Sequence, residues 1–193
     1  MSCPALPEPE PKAVQGRSQT NVRVKSYLLD ANVFIQAKNL HYGFDFCPAF
    51  WDWLVQNNKN GLVFSIDKVA VEIEAGNDEL SDWVRQNGRG LFLPTDASVV
   101  SSLGRVSEWA NSQRYEPAAI YTFFQSADYY LIAHALAKHS SVVTHEIFAD
   151  STKRIKIPNV CMGLNIKFYT PYEMLRRERA RFVLENFAIQ NAY

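Results

Sequence analysis

Four compact apolar runs punctuate the chain, at residues 26–29, 62–66, 141–144 and 166–169, and their length and side chains predict strands. Between them apolar residues fall at helical spacing. Val33, Phe34 and Ala37 follow the first run, and a helix rich in aromatics follows Pro48 with Phe50, Trp51, Trp53 and Leu54. Residues 67–75 read as a helix stopped by Gly76 and Asn77, and Asp78 can cap another through Trp83 and Val84. Asp96 can cap the stretch holding Val99, Val100, Leu103, Val106 and Trp109, and residues 115–124 read as helical. Ser126 is placed to cap a helix carrying Leu131, Ile132, Ala135 and Leu136. A last helix follows Pro171, with Arg176, Arg177, Arg179 and Arg181 among Met174, Leu175, Phe182 and Leu184.

Short apolar strands separated by helices predict an α/β domain with a mostly parallel sheet covered on both faces. Right-handed crossovers then leave the carboxyl ends of the strands on one edge, where ligands bind. The domain is expected over residues 23–185. Residues 1–22, with Pro4, Pro7, Pro9 and Pro11 among charged and polar neighbours, read as a flexible tail, and 186–193 as a short C-terminal one.

The chain of 193 residues suits one such domain, and 47% apolar or aromatic content excludes a largely disordered protein. No run approaches the ~20 apolar residues a bilayer crossing needs, and no signal peptide opens the chain, so a cytoplasmic protein is expected. Cys3, Cys47 and Cys161 are scattered, which fits reduced thiols. Twenty basic and twenty acidic residues balance, which argues against a simple polycation coating nucleic acid. Balance does not exclude an enzyme whose own site is acidic. His41, His134, His139 and His145 have no zinc-ligand spacing, and no glycine-rich phosphate loop is present.

The acids carry the chemistry. Asp30 directly follows the first strand, where helix capping with help from Asn32 competes with function. Asp128 shares a helix face with Leu131, Ile132 and Ala135, so it extends a core stripe. A first-turn acid is stabilised by the helix dipole by under about 1 kcal/mol, and a surface acid would do that equally well. Glu72 and Glu74 both flank the face set by Val69 and Ile73, and periodicity does not choose between them. Glu146 comes two residues after Thr144, with Asp150 as a nearby competitor. Two carboxylates about 4 Å apart repel by about 4 kcal/mol at an effective dielectric of about 20. Converging acids therefore call for a cation, and hard Mg²⁺ or Mn²⁺ suits all-oxygen ligands.

These residues match a pattern. Tyr27-Leu28-Leu29-Asp30-Ala31-Asn32 resembles the opening motif of PIN domains, and Val69-Ala70-Val71-Glu72-Ile73 their second. Ser126-Ala127-Asp128-Tyr129-Tyr130-Leu131-Ile132-Ala133 resembles the third, and Val142-Val143-Thr144-His145-Glu146 the fourth. The likeness spans roughly residues 24–170. A bacterial PIN-like branch is similar also at Gly43-Phe44-Asp45-Phe46, Gly76-Asn77-Asp78-Glu79-Leu80 and Lys156-Ile157-Pro158-Asn159-Val160-Cys161. Proteins of that branch are often grouped with the toxins of toxin–antitoxin pairs. The resemblance selects Glu72 over Glu74 and Glu146 over Asp150. Glu146 stands where most PIN domains carry Asp, which makes it the least regular of the four.

The resemblance implies a PIN-like three-layer α/β/α sandwich and a metal-dependent endoribonuclease leaving a 3′-hydroxyl and a 5′-phosphate. Asp30, Glu72 and Asp128 are then expected to hold one or two Mg²⁺ or Mn²⁺ ions, with Glu146 completing the site. Asn32 and Thr144 would steady carboxylates or water by hydrogen bonds. Lys153, Arg154 and Lys156 are candidates for RNA phosphates, against the plain alternative of a solvated loop. An antitoxin protein and a second copy of the chain are the protein partners that the family suggests. Two rivals come from other classes. A catalytically inactive PIN-fold module would bind RNA or protein without cutting. A haloacid-dehalogenase-type phosphatase also opens on strand and Asp, but repeats Asp two residues later, where this chain has Asn32.

Overall fold

The computed structural model describes residues 26–183, so both expected tails lie outside the described residues. Tyr27–Leu29 forms β1, buried along its whole length, and Val63–Ile66 forms β2. Phe92–Leu93 is β3, Ser141–Val143 is β4 and Phe168–Tyr169 is β5. They make one parallel sheet in the order β3-β2-β1-β4-β5. The central strand reads as an unbroken apolar run because both of its faces are covered. Leu28 pairs with Phe64 on one side and Val142 on the other, and Leu29 pairs with Val143.

The helices are α1 (Ala31–Gln36), α2 (Pro48–Lys59), α3 (Asp67–Glu74), α4 (Glu79–Asn87), α5 (Ala97–Ser112), α6 (Pro117–Gln125), α7 (Ala127–Lys138), α8 (Ile157–Gly163) and α9 (Pro171–Arg177). The chain walks from β1 through β2 to β3, then returns past β1 to β4 and β5. With right-handed crossovers, that reversal puts α1 to α4 on one face and α5 to α8 on the other. The α/β/α sandwich implied by the resemblance is the observed architecture. Its reversal lies between β1 and β4, the crevice where open α/β sheets bind ligands.

Asp78 and Asp96 accept the backbone amides of their helices as expected, Asp78 within a capping box with Ser81. Ser126 does not. It occupies the cap position of α7, but its hydroxyl donates 2.7 Å back to the Phe123 carbonyl. The preceding helix ends at that point, and the Phe123 carbonyl in its last turn accepts both the Ser126 amide at 3.1 Å and the hydroxyl.

Three elements differ from expectation. β3 is only two residues long and lies between Gly90 and Pro94, too short for any alternation to be read. Backbone pairing with Ser65 and Ile66 creates it. α8 starts with Pro158 in its first turn, where the missing N–H costs nothing, and its apolar residues are too few to show a period. α9 ends at Arg177, because Arg179 takes a left-handed conformation at φ 54°. Arg179, Arg181 and Phe182 therefore lie beyond the helix, and Leu184 is outside the described residues. A further detail bears on the site. α1 runs on into a π-helical turn, Ala37–His41, closed by the Tyr42 amide on the Ala37 carbonyl at 2.6 Å. Such wide turns are frequent beside functional sites.

Candidate active site

β1 and β4 run in register and end together. The Asp30 amide donates to the Val143 carbonyl at 3.0 Å, so Asp30 and Thr144 leave the sheet side by side. Asp30 is 5% exposed, and its Oδ2 accepts the Thr144 hydroxyl at 2.8 Å. It stands at the cap position of α1 without a side-chain capping bond to the second or third helical amide. Asn32 spends its side chain on the β4 end: Nδ2 donates to Thr144 Oγ1 at 3.2 Å, and Oδ1 accepts the His145 amide at 3.0 Å. Thr144 thus bonds a carboxylate, whereas Asn32 bonds the β4 end and no carboxylate. An Asn whose Nδ2 and Oδ1 both bind the β4 end makes a poor substitute for the second Asp of a dehalogenase-type phosphatase.

Asp128 enters from the other face, in the first turn of α7. Leu131, Ile132 and Ala135 below it are buried, as the stripe predicts. Burial raises the pKa of Asp30 first, and the charges of Asp128 and Glu146 raise it further, while the Thr144 hydroxyl pulls the other way. Asp128 is likewise raised, by burial, then by the charges of Glu146 and Glu72, against Lys156 and Arg154. Glu72 is raised by burial, although its residue lies on the exposed side of α3. The fold therefore brings Asp30, Asp128, Glu146 and Glu72 within electrostatic reach at one sheet edge. Asp150 is exposed and lines a different depression with Arg114 and Ser151.

Glu146 is in a different situation from the other three. Its Oε1 receives the Lys156 ammonium, with Arg154 at 3.9 Å, and its Oε2 accepts the Ile157 amide at 2.9 Å. Both oxygens are engaged. Lys156 is thus turned onto Glu146, whereas Lys153 and Arg154 line a cleft of about 320 Å³ together with Asp128, Ser126 and the apolar Ala119, Phe123 and Ile155. Beside Thr144, the rings of His145, His41 and Tyr172 cluster with centroids 5.5 to 5.8 Å apart. Sequence reasoning missed this aromatic rim and the Lys156 pairing, since three separate elements supply the rings and no spacing links them.

Among the described residues, no group of three or more His, Cys, Asp or Glu side chains is arranged so that it could hold a metal ion. The chemistry of the donors nevertheless fits a hard divalent cation. Asp30 and Asp128 offer carboxylate oxygens whose negative charge is costly here, because burial and like neighbours both oppose it.

Among curated proteins none matches the chain significantly. The crystal structure of FitAcB from Neisseria gonorrhoeae is similar at 19% identity, over 76% of this chain and 98% of that one, with a TM-score of 0.49. The family model described as Domain of unknown function (DUF4411) matches residues 27–182, from the first residue of β1 to beyond α9, taking in all four acids. The chain belongs to that family.

Proposed function

We propose that this protein is a PIN-like, Mg²⁺- or Mn²⁺-dependent endoribonuclease. One observation carries the proposal: Asp30, at the end of central strand β1, and Asp128, in the first turn of α7, each bear a charge that burial and neighbouring acids penalise, Asp30 that of Asp128 among them. Asp30, Asp128 and Glu72 would hold the cation, and the Thr144 hydroxyl, which donates to Asp30 Oδ2, would steady that carboxylate. When bound, the ion neutralises charge on the scissile phosphate and lowers the pKa of attacking water. The rest falls to the chain's own side chains. Lys153 and Arg154, on the cleft wall beside Asp128, would contact phosphates, and the apolar floor of Ala119, Phe123 and Ile155 would accept a nucleoside. The resemblance to toxins extends the proposal to one half of a toxin–antitoxin pair with a protein antitoxin.

The test is cleavage of single-stranded RNA with Mn²⁺ or Mg²⁺, against chelator, by the wild type and Asp128→Asn. Metal-dependent cleavage lost in the folded variant supports the proposal, and undiminished cleavage by that variant ends it. A second reading is favoured by one observation, the full engagement of Glu146 by Lys156 and Ile157. A PIN-fold module that binds RNA or protein without cutting would need no open fourth acid. RNA held tightly but intact across several divalent metals would decide for that reading.

A further inference from the structure

The opposite edge of the sheet carries a pocket of about 520 Å³ that the acidic site does not use. Ser26 precedes β1, Ser141 opens β4 and Lys167 precedes β5, so the amino ends of three parallel strands meet there. His139, just past α7, also lines it, one helix length or roughly 16 Å from the Asp128 end. Lys167 and Arg177 supply two permanent positive charges, and among the described residues no carboxylate lines the pocket. Neither cation forms an ion pair among the described residues. Glu178, next to Arg177, receives the Tyr27 hydroxyl instead. Arg177 lies over the Tyr169 ring, 4.4 Å from its centroid, and stacking through the face leaves the guanidinium edge for an oxygen ligand.

The hydroxyls are placed to match. Ser141 is only 8% exposed, and its hydroxyl has no hydrogen-bond partner among the described residues. Ser26 and Ser140 bond each other at 2.8 Å, which spends one of their two protons and leaves the other. The carbonyl ends of α7 and α9 also favour cations at this edge. That accounts for neither Lys167, which lies on no helix, nor the Ser141 hydroxyl.

We propose that this pocket binds a phosphate monoester, independently of the nuclease reading. Lys167 and Arg177 meet its charge, and Ser141 and the Ser26–Ser140 pair donate to its oxygens. A monoester carries close to two negative charges at neutral pH and three acceptor oxygens, which suits two cations and several hydroxyls better than a carboxylate does. The volume falls in the range of small-molecule sites and leaves room for a nucleoside beside the phosphate. A free nucleotide and the 5′-phosphate end of an RNA share this chemistry.

The experiment is calorimetric titration of the full chain in chelator at low salt, with melting curves to verify folding. The probes are 5′-AMP, adenosine, and an RNA trinucleotide with or without a 5′-phosphate. Saturable binding of 5′-AMP with Kd below about 1 mM is expected, and none of adenosine. Lys167→Met and Arg177→Gln should each weaken it about tenfold, and Ser141→Ala about fivefold. Arg85→Gln, on α4, should leave it within about twofold. Tighter binding of the 5′-phosphorylated trinucleotide than of 5′-AMP assigns the site to an RNA end, and weaker or equal binding assigns it to free nucleotides. Both outcomes support the phosphate site. Cations that serve only the helix ends would shift melting on substitution while no phosphorylated probe binds, which overturns the proposal. Adenosine bound as well as 5′-AMP, or affinity unchanged in both Lys167→Met and Arg177→Gln, overturns it too.

Discussion

The Thr144 hydroxyl donates to Asp30 Oδ2 at 2.8 Å across the paired ends of β4 and β1. The direction follows from counting. The same oxygen accepts Asn32 Nδ2 at 3.2 Å and the Glu146 amide at 3.0 Å, which fills both lone pairs of the hydroxyl. Its single proton therefore points at Asp30.

Replacing Thr144 by Val leaves Asp30 without that donor and strands the Asn32 and Glu146 donors. Urea unfolding should show a loss of about 1–3 kcal/mol. Mn²⁺ affinity should fall about tenfold, because Asp30 loses the bond that favours its charged form. Thr144→Ser should restore both, since it keeps the hydroxyl.

Asp30 also sets a pH dependence. Its folded pKa is raised above the unfolded value by burial, with Asp128 and Glu146 adding to the rise. Over the window between the two values the folded protein binds more protons than the unfolded, so metal-free stability falls as pH rises. Thermal melting without metal should therefore show lower stability at about pH 8 than at about pH 5 from this group. Asp30→Asn should raise metal-free stability at about pH 8 by about 2 kcal/mol. Added Mn²⁺ should stabilise the wild type more at the higher pH, where both Asp30 and Asp128 can ionise, and should do little for the variant.

His134 gives an opposite sign elsewhere. It is fully buried on α7, and neither ring nitrogen has a hydrogen-bond partner among the described residues. Burial lowers its pKa and Lys138 adds to this, although Asp67 and Asp96 favour the charged form. The unfolded chain then binds the extra proton, so this contribution to stability is lost as pH falls below about 6.5. His134→Leu should stabilise by about 1 kcal/mol at neutral pH, and by more at about pH 5, in urea titrations at both. Equal gains at the two pH values would show that the ring does not titrate on unfolding.

Much was legible in the chain because it is locally encoded. Leu28 and Leu29 mark a strand buried on both faces, Asp78 and Asp96 mark helix starts, and Asp128 lies on the stripe of Leu131, Ile132 and Ala135. Periodicity and side-chain capping act over a few residues, so they can be read without the fold. β3 and α8 were not legible: one exists through pairing with β2, and the other is too short to establish a period.

At the acidic edge, residue identity and tertiary structure divide the work. The sequence by itself determined that Asp30 ends a core strand and that Asp128 opens a core helix, because burial periodicity is a property of neighbouring positions. Only the tertiary structure decided that the charge of one acts on the other. The reversal of strand order between β1 and β4 puts Thr144 beside Asp30 across 114 residues. It decided also that Glu146 faces Lys156, a pairing across ten positions that a folded loop creates and no repeat announces. Electrostatic energies depend on distance and dielectric, and both are set when the sheet edge closes around the acids.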